Sequence, residues 1–252
     1  MTTFVLVPGF WLGAWAWRPV TDALRERGHD VYPTSLTGMA ERAHLASPDI
    51  DVDVHVTDVV NLLRYEDLRD VVLVGHSYGG LVVTAAADRM VDRAAQLVYV
   101  DSGPLPDGAT QNDFIPPEQR ERNAALVAGQ GDGWLLPPPP WTDLAAATLD
   151  GTAVGMDATT IARLDERSVP QPWATATSPV RLNGAWEKLP RVGVLSSFTV
   201  AQVRELAATV PVWRHMAGDA WRYEELPTWH WPMFSRPAEL ARILHETRPV
   251  SS

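Results

Sequence analysis

The chain is predicted to be an α/β protein built on a mostly parallel, doubly wound sheet that is interrupted by a long insertion. Three observations carry this. Short, nearly continuous apolar runs alternate with segments of helical spacing through the first hundred residues; the same alternation resumes near residue 191; and residues 103–190 hold most of the prolines with no sustained period. Apolar runs that alternate with amphipathic helices are the pattern of parallel strands buried on both faces.

The elements follow in order. "TFVLVPG" (residues 3–9) is a β-type run stopped by Pro8-Gly9, and "WRPVTDALRERGHDV" has Val20 and Leu24 at helical spacing before Gly28 ends it. "DVYPTSL" is the second strand. "DVDVHVTDVVNLLRYEDL" carries Val54, Val56, Val59, Val60, Leu62 and Leu63 as the stripe of a second helix. A strand over 70–74, a helix over about 78–90 and the strand "AQLVYVD" complete the first half. The stretch 103–190, with "LLPPPPW", "VPQPW" and the helical piece "PPEQRERNAALVAG", is expected to be a cap on a core made of residues 1–102 and 191–252. "RVGVLSS" restarts the sheet, "TVAQVRELAA" follows as a helix, and "RPAELARILHE" closes the chain as another.

Composition narrows the function classes. At 252 residues, 46% apolar and 21% charged, the chain is expected to form one large globular domain. No apolar run approaches the ~18 residues of a membrane span, and "MTTFVLVPGF" reads as a first strand rather than a signal peptide. The absence of cysteine excludes disulfides, thiolate catalysis and Cys-based zinc sites, and makes the reducing cytoplasm the expected compartment. A formal charge of −10 disfavours nucleic acid and anionic membranes as partners; a homodimer stays open. The 11 tryptophans, spread without a repeat, suggest an apolar pocket as well as core filling.

The chemistry centres on "VVLVGHSYGGLVV" (residues 71–83). Gly75-His76-Ser77-Tyr78-Gly79 matches G-x-S-x-G between a predicted strand and a predicted helix, the context in which a tight turn exposes a nucleophilic hydroxyl. A serine hydroxyl needs a base to take its proton, and seven histidines are available: His29, His44, His55, His76, His215, His230 and His245. A tetrahedral intermediate would also need oxyanion donors. The Tyr78 amide, at a helix N-terminus, is one; the turn "VPGFW" supplies the other through Phe10.

These motifs, with "FVLVPGFWLGAWAWRPV", "SLTGMAERAHL" and "HWPMFSRPAEL", resemble the small plant and bacterial α/β-hydrolases that include methyl esterases and hydroxynitrile lyases, in particular their actinobacterial members. The resemblance spans residues 3–246. It implies a Ser-His-acid triad, a helical cap and no cofactor or metal. In such chains the histidine comes last, on the loop before the final helix, which selects His230; His215 is the alternative, His245 falls within the last helix, and His76 is read as packing inside the elbow. Pro8-Gly9 replaces the family's usual His-Gly, and Trp229 stands where a small residue or aspartate usually precedes the histidine.

The acid is less direct. The family usually carries it just after the strand that follows the cap, yet residues 192–203, "VGVLSSFTVAQV", contain no Asp or Glu. Asp101, at the end of "AQLVYVD", and Asp219, in "MAGDAW", are the candidates, and a site with no acid stays open. The expected function is hydrolysis of an ester, thioester or lactone of an apolar, ring-containing small molecule through an acyl-Ser77. Trp134 from the cap and Trp11 and Trp231 from the core are expected to line the pocket. Two alternatives remain. Carbon–carbon lysis of the hydroxynitrile lyase kind is disfavoured because those enzymes carry a threonine and a lysine where Gly9 and Trp231 stand. A non-catalytic small-molecule binding protein on the same fold is the other.

Overall fold

The computed structural model describes residues 1–142 and 156–249, so residues 143–155 of the expected cap lie outside the described residues. Among the described residues, six strands form one sheet in the order β2-β1-β3-β4-β7-β8. They are β1 (Thr3–Val7), β2 (Asp30–Pro33), β3 (Val71–His76), β4 (Ala94–Val100), β7 (Arg191–Leu195) and β8 (Trp221–Glu225), and every pairing between them is parallel. Two short strands, β5 (Leu135–Leu136) and β6 (Gln171–Pro172), pair antiparallel in the stretch between β4 and β7 and form a separate sheet.

Successive side chains on a strand point to opposite faces, and here both faces are covered. Val5, Val7, Leu73, Leu97 and Tyr99 pack with α2 (Val52–Tyr65) and α3 (Tyr78–Arg89). Phe4, Leu6, Val72, Val74, Val98, Val100, Val192 and Val194 pack on the other side with α1 (Arg18–Glu26) and the C-terminal helix Pro237–Thr247. This is why the strands read as unbroken apolar runs, and each large side chain so buried contributes about 1.5–3 kcal/mol. The helix ends follow local chemistry. Asp51 caps α2 by accepting from the amides of Asp53 and Val54 at 2.9 and 3.1 Å, and α1 is followed by Gly28 at φ 79°.

Strand β8 was not read from the sequence. "WRYEE" shows no apolar run because β8 is the sheet's outer strand and is only partly covered. The chain between β4 and β7 is tied back to the core by Asp88 on α3. Its carboxylate accepts from the amides of Asn183 at 2.6 Å and Trp186 at 3.2 Å. Among the described residues no helix is long and apolar enough to cross a membrane.

Strand β1 lies between β2 and β3, so the direction of winding reverses there. In open α/β sheets the crevice beyond the carboxyl ends of the strands at such a point is where ligands bind. The register brings those ends together: His76 is opposite Val100, and Val100 is opposite Val194. The residues that follow are Ser77, Asp101 and, after Leu195, Ser196.

Candidate active site

Ser77 occupies the single step between β3 and α3 with φ 50° and ψ −123°. A non-glycine residue held there is strained by about 1–3 kcal/mol, which the surrounding structure must offset. Two bonds hold the turn: the Ser77 amide donates to the Val100 carbonyl at 3.1 Å, and the Ser102 hydroxyl donates to the Ser77 carbonyl at 2.5 Å. The flanking glycines are required by space. A Cβ at Gly75 would overlap the Gly79 carbonyl, one at Gly79 would sit 2.5 Å from the Val7 carbonyl oxygen, and one at Gly80 would strike the Ser102 hydroxyl. The helix therefore crosses the strand ends at a distance that only hydrogen at Cα permits.

Asp101 follows β4 and also has a positive φ, 46°. Its amide donates to the Val194 carbonyl at 2.8 Å, which extends the ladder and turns its carboxylate toward the loop after β7. There Oδ1 accepts from the amides of Ser196 and Ser197 at 2.9 and 2.8 Å, and Oδ2 accepts from the Ser197 hydroxyl at 2.6 Å. Oδ2 also meets Nδ1 of His230 at 2.6 Å. Burial works to raise the Asp101 carboxyl, but the bond and charge of His230, with the Ser197 hydroxyl and amide, outweigh it and hold it well below the usual carboxylate range. Asp101 is thus an ionised acceptor. The proton on His230 is then at Nδ1, which leaves Nε2 with a lone pair.

Ser77, Asp101 and His230 line one cavity of about 200 Å³. A wider groove of about 810 Å³ runs along edge strand β2, but its serine, Ser35, donates to Glu41 at 2.9 Å, and its histidine, His29, is bonded to His245 instead. The Ser77 cavity is the chemically equipped one.

The structure separates the other candidates from this cavity. Asp219 is exposed in the turn before β8. His215 packs on Trp186, 5.7 Å between ring centroids, and borders a different depression with Glu187. His245 meets His29 at 2.8 Å, and His55 is fully buried between the Thr37 carbonyl and the Tyr78 hydroxyl. His44 lies in the 3-10 helix Ala40–Leu45. His76, read from sequence as packing, has a specific partner as well: its Nε2 donates to the backbone carbonyl of His230 at 2.8 Å.

Tyr78 is the first residue of α3, where a backbone amide has no acceptor within the helix. Phe10 follows Gly9, whose added Cβ would be 3.0 Å from the Ser77 Cβ, so this turn abuts the nucleophile candidate. The Phe10 and Tyr78 rings pack at 4.7 Å.

The pocket wall differs from the expected one. Phe114, Phe198 and Trp213 supply its aromatic surface, joined edge to face with Trp213 5.3 Å from each of the other two rings. Trp11, Trp134 and Trp231 do not line the cavity of the described residues. The Trp11 indole donates to the Leu136 carbonyl at 3.2 Å, and the Trp134 carbonyl accepts from the Trp173 amide at 2.8 Å. Trp231 is buried in a cluster with Trp141 and Trp229, its ring centroid 4.7 Å from that of His230 in a T-shaped arrangement. Trp11 and Trp231 both pack on Trp141, outside the cavity lining. Sequence reasoning passed over Phe114, Phe198 and Trp213 because they lie in three separate segments with no shared motif.

Comparison with known proteins agrees with this architecture. Residues 4–243 match the model of the "Alpha/beta hydrolase family". A carbendazim hydrolyzing esterase from Nocardioides sp. (strain SG-4G) is 45% identical over 102 residues, 40% of this chain and 42% of that protein. Methylesterase 8 of Arabidopsis thaliana is 36% identical over 123 residues, 44% of this chain and 41% of the relative. The chain thus aligns with about two fifths of the length of these curated relatives. Among solved structures, an extracellular alpha/beta-hydrolase from a Paenibacillus species superposes with a TM-score of 0.83 at 21% identity, covering 99% of this chain and 100% of that one. The fold, the elbow around Ser77 and the match across residues 4–243 together make this chain a member of the alpha/beta hydrolase family.

Proposed function

We propose that the protein is a serine hydrolase that cleaves an ester, thioester or lactone of a small, apolar, ring-containing molecule. The observation that carries the reading is the 2.6 Å contact between Asp101 and Nδ1 of His230 in the lining of a cavity that the strained Ser77 also lines. With Nδ1 protonated and anchored, Nε2 is the free base. In this reading it takes the Ser77 proton as Oγ attacks the carbonyl carbon, and returns it to the departing alcohol, thiol or ring oxygen. The amides of Phe10 and Tyr78 receive the oxyanion, the second aided by the N-terminal dipole of α3. Water then attacks the acyl-Ser77 by the same route and releases the acid. No step calls for a cofactor or metal.

The substrate class rests on the cavity. Its volume, about 200 Å³, is below the ~300–1,000 Å³ typical of drug-sized ligand pockets. Phe114, Phe198 and Trp213 favour a flat ring, and Gln111 is the amide side chain among its lining residues. The names of the relatives, a carbendazim hydrolyzing esterase and methylesterases, fit a small acyl or ring group joined to a simple alkoxy group. Residues 103–190 act as the cap in this reading, through Gln111 and Phe114. A cytoplasmic location rests on the lack of cysteine alone, and one structural relative is described as extracellular.

Ser77→Ala tests the assignment. The variant is expected to fold and to lose p-nitrophenyl acetate hydrolysis by about 10⁴-fold or more, the scale of a removed triad nucleophile. A fluorophosphonate probe should add one adduct to the wild-type chain, on the peptide that carries Ser77. Turnover by Ser77→Ala near the wild-type rate would remove the proposal.

A further inference from the structure

The hydrolase reading leaves His76 without a role. It sits inside the elbow, next to the nucleophile in the chain, and is fully buried. A buried histidine is often packing, but this one makes a directed bond. Its Nε2 is 2.8 Å from the His230 carbonyl, and since a carbonyl oxygen can only accept, the His76 proton is on Nε2. The other nitrogen, Nδ1, is buried with no hydrogen-bond partner and faces the backbone at Gly9, where an added Cβ would come within 2.9 Å. The His76 and His230 rings lie 4.9 Å apart.

We propose that His76 is a positioning residue that fixes the catalytic base to the nucleophile: its Nε2–H clamps the backbone of His230 while Asp101 clamps the side chain. The inference rests on the reading of Ser77 and His230 as nucleophile and base. The loop that carries His230, residues 226–231 between β8 and the short helix Pro232–Ser235, is held at several points. Leu226 and Thr228 bond to the carbonyls of Leu195 and Ser196 at 2.8 and 3.3 Å, which hold the loop's start, and Trp229 and Trp231 pack into the Trp141 cluster on either side. Between those two tryptophans, His76 bonds the His230 carbonyl itself. Because His76 is covalently joined to Ser77, one hydrogen bond relates the base to the nucleophile through a path that excludes the rest of the loop.

The residue type matters as well as the reach. In the transition state His230 becomes an imidazolium, so a neighbouring donor should carry no charge. The groups that face His76 are His230 and Asp101. Burial, with the His230 ring as a second cause, pushes the His76 imidazole down to about 3, so it donates while neutral throughout the working range of an esterase. A lysine or arginine would also donate, but would place a second positive charge against the imidazolium.

The test compares His76→Gln, whose amide nitrogen reaches about as far as Nε2, with His76→Asn, which is polar but too short, and His76→Leu, which has no donor. For p-nitrophenyl acetate, a misplacement of the base by ~1 Å should cost about 10²-fold in kcat. The expected result is a kcat loss of that order in His76→Asn and His76→Leu with KM within about twofold, and rescue to within about fivefold of wild type in His76→Gln. Melting temperatures separate this from misfolding, and the Gln and Asn variants keep the test available if His76→Leu does not fold. Equal losses in the Gln and Asn variants, or a kcat for His76→Asn within about threefold of wild type, would overturn the clamp. A wild-type rate no faster than Ser77→Ala would instead remove the hydrolase reading beneath it.

Discussion

Oδ2 of Asp101 is shared by two donors at 2.6 Å, Nδ1 of His230 and the hydroxyl of Ser197, while Oδ1 takes two backbone amides. A carboxylate so fully satisfied stays charged inside the protein, and an aspartate does this work at the end of β4 because its side chain is short enough to remain among the donors of the next strand's loop. Other titratable groups are held in the opposite way. His55, bonded on both sides and fully buried, is pushed down to about 4 by desolvation, chiefly, against the weaker pull of its bond to Thr37. Its folded value is below the unfolded 6.5, so the unfolded chain takes up a proton that the folded chain refuses as pH falls through that window. Stability therefore declines from about pH 6.5 toward pH 4, by at most ~1.4 kcal/mol per pH unit for each such group. His55→Gln, whatever its effect at pH 7.5, should flatten the fall of melting temperature between pH 6.5 and 4.5. An unchanged slope would show that His55 does not contribute to it.

The strand–elbow–helix unit was legible in the sequence because each of its residues answers a local demand: apolar runs for a sheet covered on both sides, glycines where backbones touch, a serine at the turn. The crossing makes a sharp prediction. Gly79→Ala would ordinarily favour a helix by about 1 kcal/mol, yet here the new methyl meets the Val7 and Pro8 carbonyls at 2.5 and 2.7 Å. Gly79→Ala should lower the melting temperature and abolish fluorophosphonate labelling, whereas Gly129→Ala, where a Cβ meets open space, should do neither. Elements defined by long-range neighbours were less legible. β8 lacked an apolar run because it is an edge, and Trp231 was expected in the pocket rather than Trp213 because its place beside His230 in the chain does not tell which way its ring faces. Trp213 borders the cavity, whereas Trp231 packs against His230. Trp213→Ala should therefore lower kcat/KM for p-nitrophenyl benzoate, whose acyl group is a ring, by about tenfold and leave p-nitrophenyl acetate nearly unaffected, the scale of a lost apolar contact in a pocket. Equal effects on both substrates would make Trp213 a packing residue.

At the scale of the whole molecule, the candidate site is assembled from chain segments far apart in sequence: Ser77 after β3, Asp101 after β4 and His230 after β8. The order of the strands brings them together. β3, β4 and β7 are neighbours whose carboxyl ends are in register, so the residue after each strand arrives at the same edge. This explains how the loop after β7, "SSF", serves without a carboxylate of its own: Ser196 and Ser197 donate to the acid that β4 supplies from the adjacent strand. The sequence showed both that this loop lacked an acid and that Asp101 ended the strand "AQLVYVD", but the choice among Asp101, Asp219 and no acid depended on which group the His230 loop faces. That placement is the central claim, and one measurement tests it most directly: the steady-state kcat of Asp101→Asn for p-nitrophenyl acetate at pH 7.5, with folding verified by circular dichroism. An amide in place of the carboxylate should cut kcat by about 10³ to 10⁴, as when an imidazole loses the acceptor that sets its tautomer. A folded Asp101→Asn enzyme within about tenfold of the wild-type kcat would contradict the triad.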